Sequence, residues 1–98
     1  SAVHRAALKS DRTRHTTLTT LFTGRPARAI VNRLIEDLGA LNPAAPPFPY
    51  AAGALAPLRA RAEAQGSGDF SPLWSGQNAS GCREIPAGEL TRELMRAA

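Results

Sequence analysis

Pro43, Pro46, Pro47 and Pro49 all fall within the ten residues Leu41–Tyr50 (LNPAAPPFPY), so no regular helix or central strand can run through that stretch. Each proline lacks a backbone N–H, fixes its own φ and turns the preceding residue away from helical geometry. The stretch is expected to be an extended, semi-rigid crossing that splits the chain in two. Any core has to be built from elements on either side of it.

Upstream, Ala2–Lys9 has the composition of a helix and reads as the tail of one begun before Ser1, with Ser10–Arg14 as a polar link. Thr16–Thr23 (TTLTTLFT) is the one expected strand, because β-branched side chains favour extended backbone. A helix is predicted over Pro26–Leu38. Its Ala27, Ile30, Val31, Leu34, Ile35 and Leu38 recur at the spacing of one buried helical stripe. Pro26 suits its first turn and Gly39 its stop. Downstream, a helix is expected from Ala51 or Pro57 to about Gln65, and a short one around Pro72 with Asp69 or Ser71 as cap. A last helix, Pro86–Ala97, has Leu90, Leu94 and Met95 as its inner face. Glu84 and Glu89 come before Arg92 and Arg96, the order that complements the helix dipole. The fold class read from this pattern is mostly α with one short strand.

The core is thin. Apolar residues make up 43% of the 98, but the aromatic ones are only Phe22, Phe48, Tyr50, Phe70 and Trp74. A chain this small buries a limited share of its surface, so its helices are expected to rest on something outside it. The net charge of +4 is concentrated early: Arg5, Lys9, Arg12, Arg14, Arg25, Arg28 and Arg33 face Asp11 alone before Glu36. These cations are spaced singly, without interleaved aromatics, and suit a solvated face better than a nucleic-acid surface. A single cysteine, no apolar run long enough to cross a bilayer and a polar, basic N-terminal stretch lead to an expected cytoplasmic location.

No self-sufficient catalytic apparatus can be read from these residues. His4 and His15 have no Cys or carboxylate at ligand spacing, so no metal site is expected. Cys82 precedes Arg83, but no base accompanies it, so it reads as a structural or incidental thiol. Gly66-Ser67-Gly68 is a turn signal, not a phosphate loop, and Ser71, Ser75 and Ser80 lack a nucleophile-elbow context.

Two stretches carry a resemblance. Phe22-Thr23-Gly24-Arg25-Pro26-Ala27-Arg28 enters a segment continuing through Asn32 and Arg33. Leu73-Trp74-Ser75-Gly76-Gln77 follows a Pro57-Leu58-Arg59 helix and a Gly-Ser-Gly-Asp turn. In this order, separated by the proline-rich crossing, they resemble the C-terminal third of nitronate monooxygenases, formerly 2-nitropropane dioxygenases. The resemblance implies an FMN-binding (β/α)8 TIM barrel with a smaller, mostly helical domain. It also implies oxidation of alkyl nitronates by FMN and O2 without a metal. The family's catalytic histidine and its flavin-phosphate loops precede the matched region, so no catalytic residue is expected in this chain. FMN would be held mainly by the preceding part. On this basis residues 1–15 are the end of a barrel helix and a link. Residues 16–85 are the small substrate-side domain, and residues 86–98 a terminal helix packing back on the barrel. The expected partners are the nitronate, O2 and the barrel half, with no nucleic acid and no membrane.

Within that frame, Trp74, Gly76 and Gln77 are the candidate cofactor- or substrate-pocket residues. An indole offers an aromatic face, a glycine lets backbone approach closely, and a glutamine amide both donates and accepts. The competing reading makes Trp74, behind Gln77, a hydrophobic anchor and Gln77 a cap. Arg25 and Arg28 either attract an anionic nitronate or, as favoured here, pair with carboxylates at a domain boundary. Phe48 and Tyr50 are expected to be packing pegs. The rival functions are a related barrel flavin reductase, enoyl-reductase-like, and a small basic helical nucleic-acid-binding module.

Overall fold

The computed structural model describes residues 1–98. Helix α1 (Ala2–Lys9) leads through a 3-10 turn (Asp11–Arg14) into strand β1 (Thr16–Thr19). Strand β2 (Ala27–Ile30) and helices α2 (Arg33–Leu38), α3 (Ala51–Ala64) and α4 (Ala87–Ala97) follow. The molecule is elongated, 46 × 28 × 24 Å, and only 14 of its 98 residues are buried, which gives the thin core a geometric cause.

The expected helix over Pro26–Leu38 is not one element. Its first half is β2, antiparallel to β1 in the register Thr16↔Ile30 to Thr19↔Ala27, and only its second half is helical. Ala29, Ile30 and Val31 satisfy a helical stripe and an interior strand equally well, and tertiary pairing decides between them. The Ile30 amide donates to the Leu73 carbonyl at 2.8 Å, and Ala29 bridges to Trp74. So β2 lies between β1 and the Leu73–Ser75 segment. Two strands form where one was expected, and the short helix around Pro72 does not form because its residues run extended along β2. The predicted strand is also shorter than expected. After Thr19 the chain turns, and the Gly24 amide closes that turn on the Thr20 carbonyl at 2.8 Å.

Asn32, expected inside the helix, is instead its N-cap. It is extended (φ −130°), its Oδ1 accepts from the Ile35 amide at 3.4 Å, and it is 1% exposed. The main core unites Leu21, Phe22, Ala29, Leu34 and Ile35, with Val31, Leu55 and Phe70 packed on it. A second cluster joins Ala7, Ile30 and Leu73.

The proline-rich crossing is folded in turns, not extended. Ala45 N–H donates to the Asn42 carbonyl and Tyr50 N–H to the Pro47 carbonyl, while the Asn42 amide side chain reaches back to the Leu38 carbonyl at 2.8 Å. Pro43 sits second in the first of these turns, where its fixed φ is favourable. Phe48 and Tyr50 are exposed and so are not pegs into this core; the Phe48 ring instead lies under the Arg25 guanidinium, 4.2 Å from its carbon. Helix α3 begins at Ala51 and runs through Pro57, burying only Ala51 and Ala62. Helix α4 buries nothing: Leu94 is 62% and Met95 74% exposed, and Leu90 is exposed too, so the expected inner face meets no partner in this chain. No helix is long and apolar enough to cross a membrane.

Candidate functional site

The two motifs singled out in the sequence meet in space. Phe22, 3% exposed, places its ring 5.6 Å from that of Trp74 at 87°, an edge-to-face pair. Backbone contacts hold Trp74 from both sides: Leu73 accepts from Ile30, and the Ser75 amide donates to the Arg28 carbonyl at 3.4 Å. The indole nevertheless remains 44% exposed, so a fixed aromatic surface is left uncovered.

Gly24 shows why the first motif needs a glycine. Its φ is +91°, and a Cβ there would lie 2.3 Å from the Phe48 nitrogen and 2.7 Å from the Pro46 oxygen. The proline-rich crossing therefore rests directly on the Gly24 backbone.

The second motif is anchored from below by buried polar groups. The Asn32 amide donates to the carbonyls of Gly68 (3.0 Å) and Ser71 (2.9 Å). Ser71, fully buried, donates its hydroxyl to Glu63 at 2.6 Å, and Arg59 pairs with the same carboxylate at 2.8 Å. The Ser71 hydrogen bond first, then that of Arg59, holds the Glu63 carboxyl below the ordinary carboxylate range. Burial works to raise Asp69, but it is outweighed by the hydrogen bond and charge of Arg12, the Arg33 amide and Ser67, and this carboxyl also lies low. Both groups have folded values below their unfolded ones. The stability they contribute is present above the ordinary carboxylate value and is lost as pH falls through the lowered one. Acidification through that window is expected to lower the urea midpoint. Glu63→Gln should start lower at neutral pH and lose less, and an unchanged acid slope in that variant would exclude the Ser71–Glu63–Arg59 network as a source.

Gly76 is open, with nothing within 4 Å of the place a Cβ would take. Gln77 is exposed and lines a polar cleft of about 290 Å³ with Lys9, Ser10, Asp11, Arg14 and Cys82. Trp74 is not part of that lining, so the indole and the Gln77 amide offer separate surfaces. Arg25 and Arg28 meet no carboxylate in this chain: Arg25 covers Phe48, and Arg28 donates to the Thr16 hydroxyl at 3.1 Å. His4 does not join a ligand cluster but hydrogen-bonds the Pro72 carbonyl at 3.2 Å.

Asn32 and Phe22 support this site without standing out in the sequence as doing so. For Asn32 there is a signal, an Asn immediately before an Arg-Leu-Ile run, but the longer apolar stripe masks it. For Phe22 there is none, since the pair with Trp74 exists only in three dimensions.

Comparison with known proteins agrees with the motifs. The sequence matches the family described as nitronate monooxygenase over residues 1–97. It is similar to a nitronate monooxygenase of Pseudomonas aeruginosa, 41% identical over 97% of this chain and 27% of that protein. Another, from Paraburkholderia phytofirmans, is 38% identical over 95% of this chain and 26% of its own length. In structure it resembles a nitroalkane oxidase from Streptomyces ansochromogenes, with a TM-score of 0.82 and 36% identity over 96% of this chain and 27% of the other. The 98 residues thus span about a quarter of these relatives. With both motifs in place and the match running almost end to end, the chain belongs to the nitronate monooxygenase family.

Proposed function

We propose that these residues are the C-terminal part of an FMN-dependent nitronate monooxygenase that oxidises alkyl nitronates with O2, and that they are inactive alone. The observation carrying this reading is the family match over nearly the whole chain, against coverage of only 27% of the relative from Pseudomonas aeruginosa. The uncovered apolar faces support it. Leu90, Leu94 and Met95 on α4 have the character of a surface that packs on a preceding (β/α)8 barrel. Residues 16–85 are then a small substrate-side domain and residues 86–98 a terminal helix returning to the barrel.

When bound, FMN supplies the electron exchange with O2 that this oxidation needs. Its phosphate is held by the part that precedes this chain, whose own contribution is at the rim. Gly76 admits a close backbone approach, and the exposed Gln77 amide can both donate to and accept from a ring edge or a nitronate oxygen. Trp74 contributes an apolar aromatic wall on a surface separate from that of the Gln77 amide. In the full-length protein, purification should yield a yellow, flavin-bound enzyme that consumes O2 with an alkyl nitronate, while residues 1–98 alone do neither. Gln77→Ala is expected to raise KM about 10-fold, the loss of one ligand hydrogen bond. Unchanged kinetics and flavin content would remove Gln77 from the site, and a colourless, inactive full-length protein would remove the function.

A further inference from the structure

Phe22 belongs to the first motif and Trp74 to the second, and no element of secondary structure joins them directly. Their rings are nevertheless the single aromatic pair that the chain forms. The two differ sharply in exposure, 3% for Phe22 and 44% for Trp74. A tryptophan serving only as a core anchor would be the more covered partner. Here the phenyl ring is inside and the indole is held half outside.

The indole's backbone is already fixed by the bridge to Ala29 and by the Leu73 and Ser75 hydrogen bonds. These contacts leave the side-chain torsions free, and a half-exposed indole samples several rotamers unless something sets its plane. Phe22 supplies that constraint, since an edge-to-face pair is an orientation-dependent contact. Phe22 is itself rigid: it packs with Leu21, Ala29, Leu34 and Ile35, and its turn is closed by the Gly24 amide on Thr20 and weighted by the proline-rich crossing.

We propose that Phe22 is a positioning residue that locks the Trp74 indole at the angle its exposed face needs to meet a planar conjugated ligand. This rests on the reading above, in which Trp74 walls the pocket. The ligand group is planar in either form available to it, the nitronate C=N(O)O unit or the edge of a fused aromatic ring. Stacking on a pre-set indole lowers the ordering cost of binding and leaves the chemical step alone.

The test is a mutant cycle in the full-length enzyme with Phe22→Leu, Trp74→Leu and the double variant, and Leu21→Val as a control. Leu21 lies in the same core cluster as Phe22 but is not paired with the indole. Phe22→Leu is expected to raise KM for the alkyl nitronate, or to lower flavin occupancy, by about 3- to 10-fold with kcat per bound flavin nearly unchanged. Which of the two moves tells substrate from flavin. The double variant should be no worse than Trp74→Leu. The near-UV circular dichroism lost in Trp74→Leu should also be lost in Phe22→Leu, with the far-UV spectrum intact. Leu21→Val should melt earlier with normal KM. Should Phe22→Leu not fold, Phe22→Met, flexible and without a ring, carries the same test.

A silent Phe22→Leu beside an impaired Trp74→Leu overturns the proposal and leaves the Trp74 reading standing. Additive losses in the double variant also overturn it. A silent Trp74→Leu removes the reading itself, and the proposal with it.

Discussion

Gly24→Ala is expected to prevent the domain from folding, and it should be the most damaging single methyl the chain can acquire. Two independent costs coincide at this position. At φ +91° any L side chain is strained, by roughly 1–2 kcal/mol. The added carbon would also meet the Phe48 nitrogen at 2.3 Å and the Pro47 carbon at 2.7 Å, both backbone atoms in a stretch stiffened by prolines. Overpacking of that kind adds about 1–3 kcal/mol or more, because the neighbour cannot swing away. Together they approach the whole stability of a small domain, about 5 kcal/mol at the low end. Gly39→Ala and Gly66→Ala are the controls. Both positions have positive φ, but nothing lies within 4 Å of either, so only the conformational strain applies. Soluble yield and melting temperature of the three full-length variants check this. Equal melting temperatures would show that the crossing yields to the methyl and that Gly24 is needed for its φ alone.

Asn32→Leu is the second large expected loss, about 3–5 kcal/mol measured as the urea unfolding free energy. The substitution fits in size but strands two buried groups at once, the Ser71 carbonyl and the Ile35 amide, and leaves the part-buried Gly68 carbonyl with the Ser71 amide alone. Each orphaned buried polar group costs on the order of 1–3 kcal/mol. Asn32→Asp at neutral pH is expected to be no better, since it keeps the cap but points a carboxylate at two carbonyl oxygens. Asn42→Ala provides the comparison. It removes two side-chain hydrogen bonds, to the Leu38 carbonyl and from the Ala44 amide, at an exposed site where water replaces them. A loss at Asn32 no larger than that at Asn42 would mean that water reaches the Gly68–Ser71 turn.

The pattern of what could be read from the sequence follows from which forces are local. Helix α1 emerges with the boundaries of the Ala2–Lys9 segment, α4 lies within a residue of its expected bounds, and α3 takes the earlier of its two expected starts, because helices are set by near neighbours. The Pro26–Leu38 segment fails for the complementary reason. Ala29 and Ile30 are drawn into a strand by β1 on one edge and by Leu73 on the other, and neither partner is visible in a window around them. The proline-rich crossing was recognisable as irregular, but its direction was not, since the side-chain turn of Asn42 bends what the prolines alone would leave straight. At the candidate site, Trp74, Gly76 and Gln77 stand out as residue types. The framework beneath them, Phe22 and the Asn32–Ser71–Glu63 links, is made of long-range pairs that no spacing rule encodes.

The central place of β2 also orders the birth of the domain. A ribosome delivers β1 and β2 almost together, and their hairpin can close at once. The segment that covers β2's other edge arrives only after the crossing and the whole of α3 have been made. Throughout that interval the Ile30 amide and the Arg28 carbonyl stand as an unpaired edge beside Ala29, the kind of surface on which nascent chains join one another. The open edge is only four residues long, and that brevity limits what a second copy could pair with until Leu73 arrives.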